Sequence, residues 1–302
     1  MDFCFVVNNK YITPLIVTLE SIIENNSGVH RFFLITSELE QKNIKRVVEF
    51  SSSVGCKAEV IKVDDTCLEN VPILRGDFNK TPYYKLLLPL YLPNDVEKIL
   101  YMDVDVIVEK NLEELFSIDL ENHFFAAVPD PFINERDKEY VKSLGIDLDK
   151  GERYFNSGVI LFNMCIFREK YKLEDALKYI EENGSKFKFH DQEVLNGMYF
   201  KDYLQLEETY NYLTVFRGKN DLVQWLFKGR KQLEKQSILH YANSFKPWGS
   251  SYLGKYENIY WKYAQKSPVY CEIEKNEKKA VFQQLRAMLI IISRKVKKRM
   301  RG

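Results

Sequence analysis

Strand-like and helix-like segments alternate along the N-terminal part of this chain, and that order restricts its fold more than any other feature. Residues 2–7 read as a first strand, a continuous buried run. A helix should begin near Thr13, with Pro14 in the first turn and Leu15, Ile16, Leu19, Ile22 and Ile23 on one stripe. Residues 31–36 read as a strand, 38–50 as a helix, 58–63 as a strand and 83–92 as a helix. The run from Lys98 to Val108 then reads as a fourth strand. Strands alternating with helices predict an α/β fold with a mostly parallel, Rossmann-like sheet covered by helices. Beyond Asn111 the pattern is mixed, with strands expected over 124–128 and 154–163 and helices over 173–183 and from Asp191. With no linker or repeat, one domain is expected over residues 1–270 and a helical tail over 271–302.

Two carboxylates interrupt the fourth apolar run at a spacing of two. If the strand continues through them, Asp103 and Asp105 share one face with Cα atoms about 6 to 7 Å apart, a geometry that suits a divalent cation. If the strand ends at Met102, the acids lie in a solvated loop. Either way they sit at the C-terminal end of a parallel strand, the edge where open α/β sheets bind ligands.

Other polar residues stand where the apolar pattern leaves a gap. Asn8, Asn9 and Tyr11 follow the first strand and face the same edge as Asp105, although Asn-Asn-Lys is also good turn sequence. Asn156 and Gly158 precede a buried run, the glycine permitting close backbone approach. Asp191 and Glu193 fit a helix N-terminus by capping and dipole complementarity, which leaves Gln192 unexplained. His240, one of four histidines, closes an apolar run and Lys246 follows it. An imidazole beside two carboxylates could complete a metal site, and a lysine could meet a diphosphate.

The net charge of +1 offers no whole-protein case for nucleic acid, and none is expected as a partner. Six basic residues, Arg294, Lys295, Lys297, Lys298, Arg299 and Arg301, are concentrated at the C-terminus, which leaves the remainder at about −5. Upstream of them Val281, Leu285, Met288, Leu289 and Ile292 share a helical stripe. An amphipathic helix with a cationic end suits an anionic membrane surface, whereas the alternative docks the stripe on the domain. The five cysteines are scattered without a C-x-x-C pair, and no signal peptide is evident at the start. A cytoplasmic protein, peripheral at the inner face of the membrane, is the expectation.

Taken in order, six segments carry a resemblance to glycosyltransferase family 8. They are Asn8-Asn9-Lys10-Tyr11, Tyr84-Lys85-Leu86, Tyr101-Met102-Asp103-Val104-Asp105-Val106, Phe155-Asn156-Ser157-Gly158-Val159, Asp191-Gln192-Glu193-Val194-Leu195-Asn196, and His240-Tyr241 with Lys246-Pro247-Trp248. The resemblance implies a GT-A fold and retaining transfer of a hexose from a UDP-sugar to a saccharide or lipid-linked acceptor. It implies that Asp103, Asp105 and His240 hold Mn²⁺, with Mg²⁺ as the alternative ion. Tyr11 would stack on the uracil near Asn8 and Asn9, and Lys246 would contact the diphosphate. Lys85, Asn156, Asp191 and Gln192 would surround the donor sugar, with Asp191 and Gln192 as the catalytic pair. Val104 and Asn243 complete the implied donor-binding set. Three departures stand out: amides replace the acidic pair common after the first strand, Lys85 replaces an arginine, and Asn243-Ser244-Phe245 stands where relatives often carry glycine.

Two other functions use the same features. Paired acids also serve nucleotidyl or phosphoryl transfer, and a catalytically silent carbohydrate-binding protein could use the tail to sit on membranes.

Overall fold

The structure, a computed structural model, describes residues 1–73, 80–148, 152–214, 236–242, 246–249 and 256–274. The six basic residues of the tail, its apolar stripe and Asn243 therefore lie outside the described residues.

A seven-stranded sheet forms the centre, in the order β3-β2-β1-β4-β7-β6-β8. Its strands are β1 (Asp2–Val6), β2 (Arg31–Thr36), β3 (Lys57–Lys62), β4 (Lys98–Met102), β6 (Phe125–Pro129), β7 (Phe155–Asn163) and β8 (Tyr203–Gln205). The first four run parallel, β7 is antiparallel to both neighbours, and β6 and β8 are parallel. The sheet is mostly parallel, as the alternating pattern predicts. A small second sheet joins β5 (Val106–Val108), β9 (Tyr212–Leu213) and β10 (Ile238–His240), with β10 antiparallel to β5.

Central strands read as unbroken apolar runs because both of their faces are covered. Phe3 and Phe5 of β1 enter the core beneath the helix Ile12–Asn25, whereas Cys4 and Val6 enter the core on the opposite face. The same alternation places Leu100 and Met102 on one side, Ile99 and Tyr101 on the other. On the first face, the helix Glu257–Ala264 packs against Ile12–Asn25. The chain stays docked there past residue 270: Ile273 is buried, and Glu272 accepts hydrogen bonds from Thr13 and Arg46.

Two local expectations shift. The helix over 83–92 is a 3-10 segment, Thr81–Leu87, followed by the short helix Leu88–Tyr91. The fourth strand stops at Met102, and its apparent continuation, β5, belongs to the second sheet. Among the described residues no helix is long and apolar enough to cross a membrane.

Candidate active site

Asp103 and Asp105 converge through a turn and not by strand alternation. The turn is pinned on three sides: the Asp103 N–H donates to Gly158 O (2.8 Å), the Thr18 hydroxyl donates to Val104 O and Val106 O, and the Tyr241 N–H donates to Asp105 O (2.9 Å). The strand therefore ends where the loop reading puts it, yet Asp105 is buried, its side chain 11% exposed, with Asp103 more open at 34%.

The second sheet delivers the third polar group. Antiparallel pairing sets His240 opposite Val106, one residue from Asp105. Its Nε2 lies 3.5 Å from Asp105 Oδ1 and 3.8 Å from Asp103 Oδ2. One ligand atom from each of the three residues lies within 4.8 Å of the others.

A chain of hydrogen bonds sets the imidazole tautomer. The Gly158 N–H donates to Asn156 Oδ1 (3.0 Å), so that oxygen is an acceptor and Asn211 Nδ2 donates to it (2.9 Å). Asn211 Oδ1 must then accept from His240 Nδ1, 2.9 Å away. With the proton on Nδ1, Nε2 presents its lone pair to the carboxylates, the arrangement of a metal-ligating histidine. Gly158 completes the fit, because a Cβ there would stand 2.2 Å from His240 Cε1 and 2.9 Å from Asp103 Oδ2. Two carboxylates and a bare imidazole nitrogen form a donor set that suits Mn²⁺, and Mg²⁺ less well.

Lys85 links this cluster to the next. It is 2% exposed, and its ammonium donates to Asp191 Oδ2 (2.7 Å) and Ser157 O (3.0 Å) and lies 3.4 Å from Asp103 Oδ1. The Tyr101 ring lies beneath it at 4.4 Å, and the Tyr101 hydroxyl donates to Asp103 Oδ1. Burial pushes the ammonium toward neutrality, but the charges of Asp103 and Asp191 outweigh that and raise its pKa. Burial likewise pushes up the Asp105 carboxyl, and the opposing charge, that of Lys246 foremost, holds Asp105 below the usual carboxylate range. The Lys246 ammonium stands 2.5 Å from Asp105 Oδ2 and donates also to Tyr241 O (2.8 Å).

Gln192 faces Asn156. Its Oε1 accepts from the Ser157 N–H (3.0 Å) and from Asn156 Nδ2 (3.1 Å), so the amide oxygen is held by the chain itself. Asp130, which caps the helix Pro131–Arg136, also reaches Asn156 Nδ2 at 3.4 Å. Burial raises the Asp130 pKa against its hydrogen bonds.

Nine implied residues thus meet in one connected region: Lys85, Asp103, Val104, Asp105, Asn156, Asp191, Gln192, His240 and Lys246. Asn8 and Asn9 instead do turn work. Asn8 Oδ1 accepts from the Lys10 N–H, while Asn9 Oδ1 accepts from the Glu40 N–H and from Asn43. Tyr11 is partly buried against the first core. Asn211 and Asp130 were not legible as site residues. The cap at Asp130 is signalled by Asp-Pro, but its contact with Asn156 requires β6 and β7 to pair. Asn211 carries no local signal.

A family model described as glycosyl transferase family 8 matches residues 3–251. A "Putative glycosyltransferase" of Haemophilus influenzae is 29% identical over 66% of this chain, which spans 59% of that protein's length. "General stress protein A" of Bacillus subtilis is 26% identical over 84% of this chain and 88% of its own. The Escherichia coli "Lipopolysaccharide 1,2-glucosyltransferase" is 22% identical over 82% of this chain and 72% of its own. Among solved structures, that of the galactosyltransferase LgtC, in complex with donor and acceptor sugar analogs, superposes with a TM-score of 0.76 at 22% identity, covering 89% of this chain and 96% of its own. That likeness establishes the GT-A type of the fold, and the family match over most of the length establishes descent: the chain belongs to glycosyl transferase family 8.

Proposed function

We propose that this chain is a retaining hexosyltransferase that moves glucose or galactose from a UDP-sugar to a saccharide or lipid-linked acceptor in bacterial cell-surface assembly. The observation that carries the reading is the joining of two clusters by one buried lysine. Asp103, Asp105 and His240 form a cation site on one side of Lys85, and Asp191, Gln192 and Asn156 form a hydrogen-bonding wall on the other. A diphosphate and its sugar need those two neighbours. The relatives named for glucosyl and galactosyl transfer support the hexose.

Asp103, Asp105 and His240 would hold Mn²⁺ or Mg²⁺. Bound there, the cation supplies Lewis-acid stabilisation of charge on the departing diphosphate. Lys246, part exposed beside Asp105, adds a point charge aimed at the same developing anion. Burial raises the Asp191 pKa, the Lys85 charge opposes that rise, and the hydrogen bond between them orients Asp191 toward the sugar. A double displacement needs a free nucleophile beneath the anomeric carbon, yet the Gln192 oxygen is committed to Ser157 and Asn156 and Asp191 to Lys85. Front-side attack fits better. The acceptor oxygen bonds to the anomeric carbon as the bond to the β-phosphate oxygen breaks, and the acceptor proton passes to a phosphate oxygen.

The site acts through a catalytic domain whose docked residues run to 274, and the sequence beyond them is an appendix whose basic, amphipathic character suits an anionic membrane surface. Five free cysteines fit the reducing cytoplasm, where the enzyme would work at the inner face of the membrane. Incubation with a panel of UDP-sugars and Mn²⁺ tests the activity: UDP with free sugar is the expected product, and sugar 1-phosphate, the leaving group when the uridylyl group is moved, would instead establish nucleotidyl transfer. Equal sedimentation with anionic liposomes of the full chain and one ending near residue 275 would remove the membrane role.

A further inference from the structure

Glu193 lies outside the donor set and is completely buried. Its Oε1 accepts the N–H groups of Lys188 and Phe189, both at 2.9 Å, and Oε2 accepts Phe189 N–H at 3.0 Å. The Tyr140 hydroxyl donates to the same Oε1, and its oxygen accepts from the Lys188 N–H at 3.1 Å. Between these amides and the helix Asp191–Tyr199 stands His190, at φ 59° and ψ −106°. It is one of two non-glycine residues with positive φ among those described, in backbone that L-residues enter at a cost of about 1–3 kcal/mol. A simple capping box would return Glu193 to the N–H of the cap residue, His190. Here the carboxylate reaches past it to the two preceding amides, and so closes the turn itself.

The body of the same helix is fastened separately. Asn196 bonds both the N–H and the carbonyl of Phe155 in β7 and also holds Gln192 O (2.8 Å). With one end fixed to the sheet, the direction of Asp191 and Gln192 depends on the turn before them. We propose that Glu193 is a positioning residue, its carboxylate holding residues 188–190 in the left-handed turn that aims Asp191 and Gln192 at the donor sugar. This inference rests on the hexosyl-transfer reading for what those two residues do, but the turn is a property of the chain alone.

Three variants test it: Glu193→Ala, Glu193→Gln and Tyr140→Phe. Each is measured for kcat and KM with the active UDP-sugar, for UDP affinity, and for amide hydrogen exchange over residues 187–193. A misaimed pair lowers kcat by about 100-fold in Glu193→Ala. UDP affinity stays within about threefold, because none of the residues assigned to the nucleotide lies on this turn. Glu193→Gln keeps an acceptor at Oε1 and recovers kcat to within about tenfold of wild type. An unchanged kcat in Glu193→Ala, or equal losses in Ala and Gln accompanied by loss of UDP binding, overturns the proposal. Should Glu193→Ala not fold, Tyr140→Phe decides: kcat reduced with UDP affinity kept supports it, and an unchanged kcat overturns it. If wild type cleaves no UDP-sugar, the transfer reading fails independently, and exchange alone decides. Faster exchange at 187–190 in Ala but not in Gln supports the clamp, and wild-type protection in Ala overturns it.

Discussion

Lys85 Nζ lies 2.7 Å from Asp191 Oδ2, and neither side chain is more than 5% exposed. Two opposite charges withdrawn from water this completely are stable only as a pair, and Asp103 at 3.4 Å makes the lysine their common partner. Lys85→Met leaves Asp191 as an uncompensated buried anion. We expect a loss of about 3–5 kcal/mol in urea unfolding without metal, together with loss of donor cleavage. Adding Asp191→Asn removes the stranded charge, so the double variant should regain stability but not activity. A double variant no more stable than Lys85→Met would show that the pair is not the source of the loss.

Asn211 governs the imidazole through Nδ1 and touches none of the proposed ligand atoms. Removing it in Asn211→Ala frees the ring to rotate and to take the other tautomer. Histidine ligands lacking their hydrogen-bond partner typically bind metal about 10–100-fold more weakly. Calorimetric titration with Mn²⁺ should show a loss of that size with the fold retained. Wild-type affinity would mean that Asn211 serves only Asn156.

The sequence was most legible where one element suffices to explain a residue. The apolar runs of β1, β2 and β7 and the periodic helix Leu173–Asn183 stand within a residue or two of where pattern alone places them. The Asp103 turn was not resolved this way, because period two runs unbroken across it. Val106–Val108 leave the main sheet to pair with β10, a partner far along the chain that local periodicity does not reveal. The same pairing brings His240 to Asp105, so the resemblance supplied what spacing did not. At Asn8 and Asn9 turn chemistry competed with ligand chemistry, and both side-chain oxygens went to backbone N–H groups. Asn211 was invisible, since its value lies wholly in two contacts made across the fold.

Gly158 is required for space, and its backbone dihedrals demand nothing special. The added methyl of Gly158→Ala would stand 2.2 Å from His240 Cε1 and 2.8 Å from His240 Nδ1. A packed ring cannot yield by that much without leaving Asn211. Overpacking of this kind costs about 1–3 kcal/mol, so the variant should fold with a lowered Tm. Its Mn²⁺ affinity should fall by at least about tenfold. Full Mn²⁺ affinity in the folded variant would place the metal elsewhere.

Glu193 makes stability depend on pH in an unusual direction. Burial pushes its carboxyl up to about 7, against the opposing hydrogen bonds of Tyr140, Lys188 and Phe189. The folded state therefore holds a proton that the unfolded state releases near the ordinary value of 4.5. Between those values folding binds more protons than unfolding, so stability falls as pH rises and levels off above about 7. Below the ordinary value both states are protonated and the full contribution is present. His190 works oppositely over an overlapping range. Burial and then the Lys85 charge hold its pKa down to about 4, so stability falls as pH drops through the range where the unfolded histidine protonates. The two are separated by difference. Glu193→Gln removes only the first, and the stability of wild type minus that of Glu193→Gln should decline by a few kcal/mol (about 1.4 per pKa unit) from pH 4.5 to 7. Guanidinium unfolding of both proteins across that range measures it, and a difference that stays flat or rises with pH would mean Glu193 is ionised in the fold throughout.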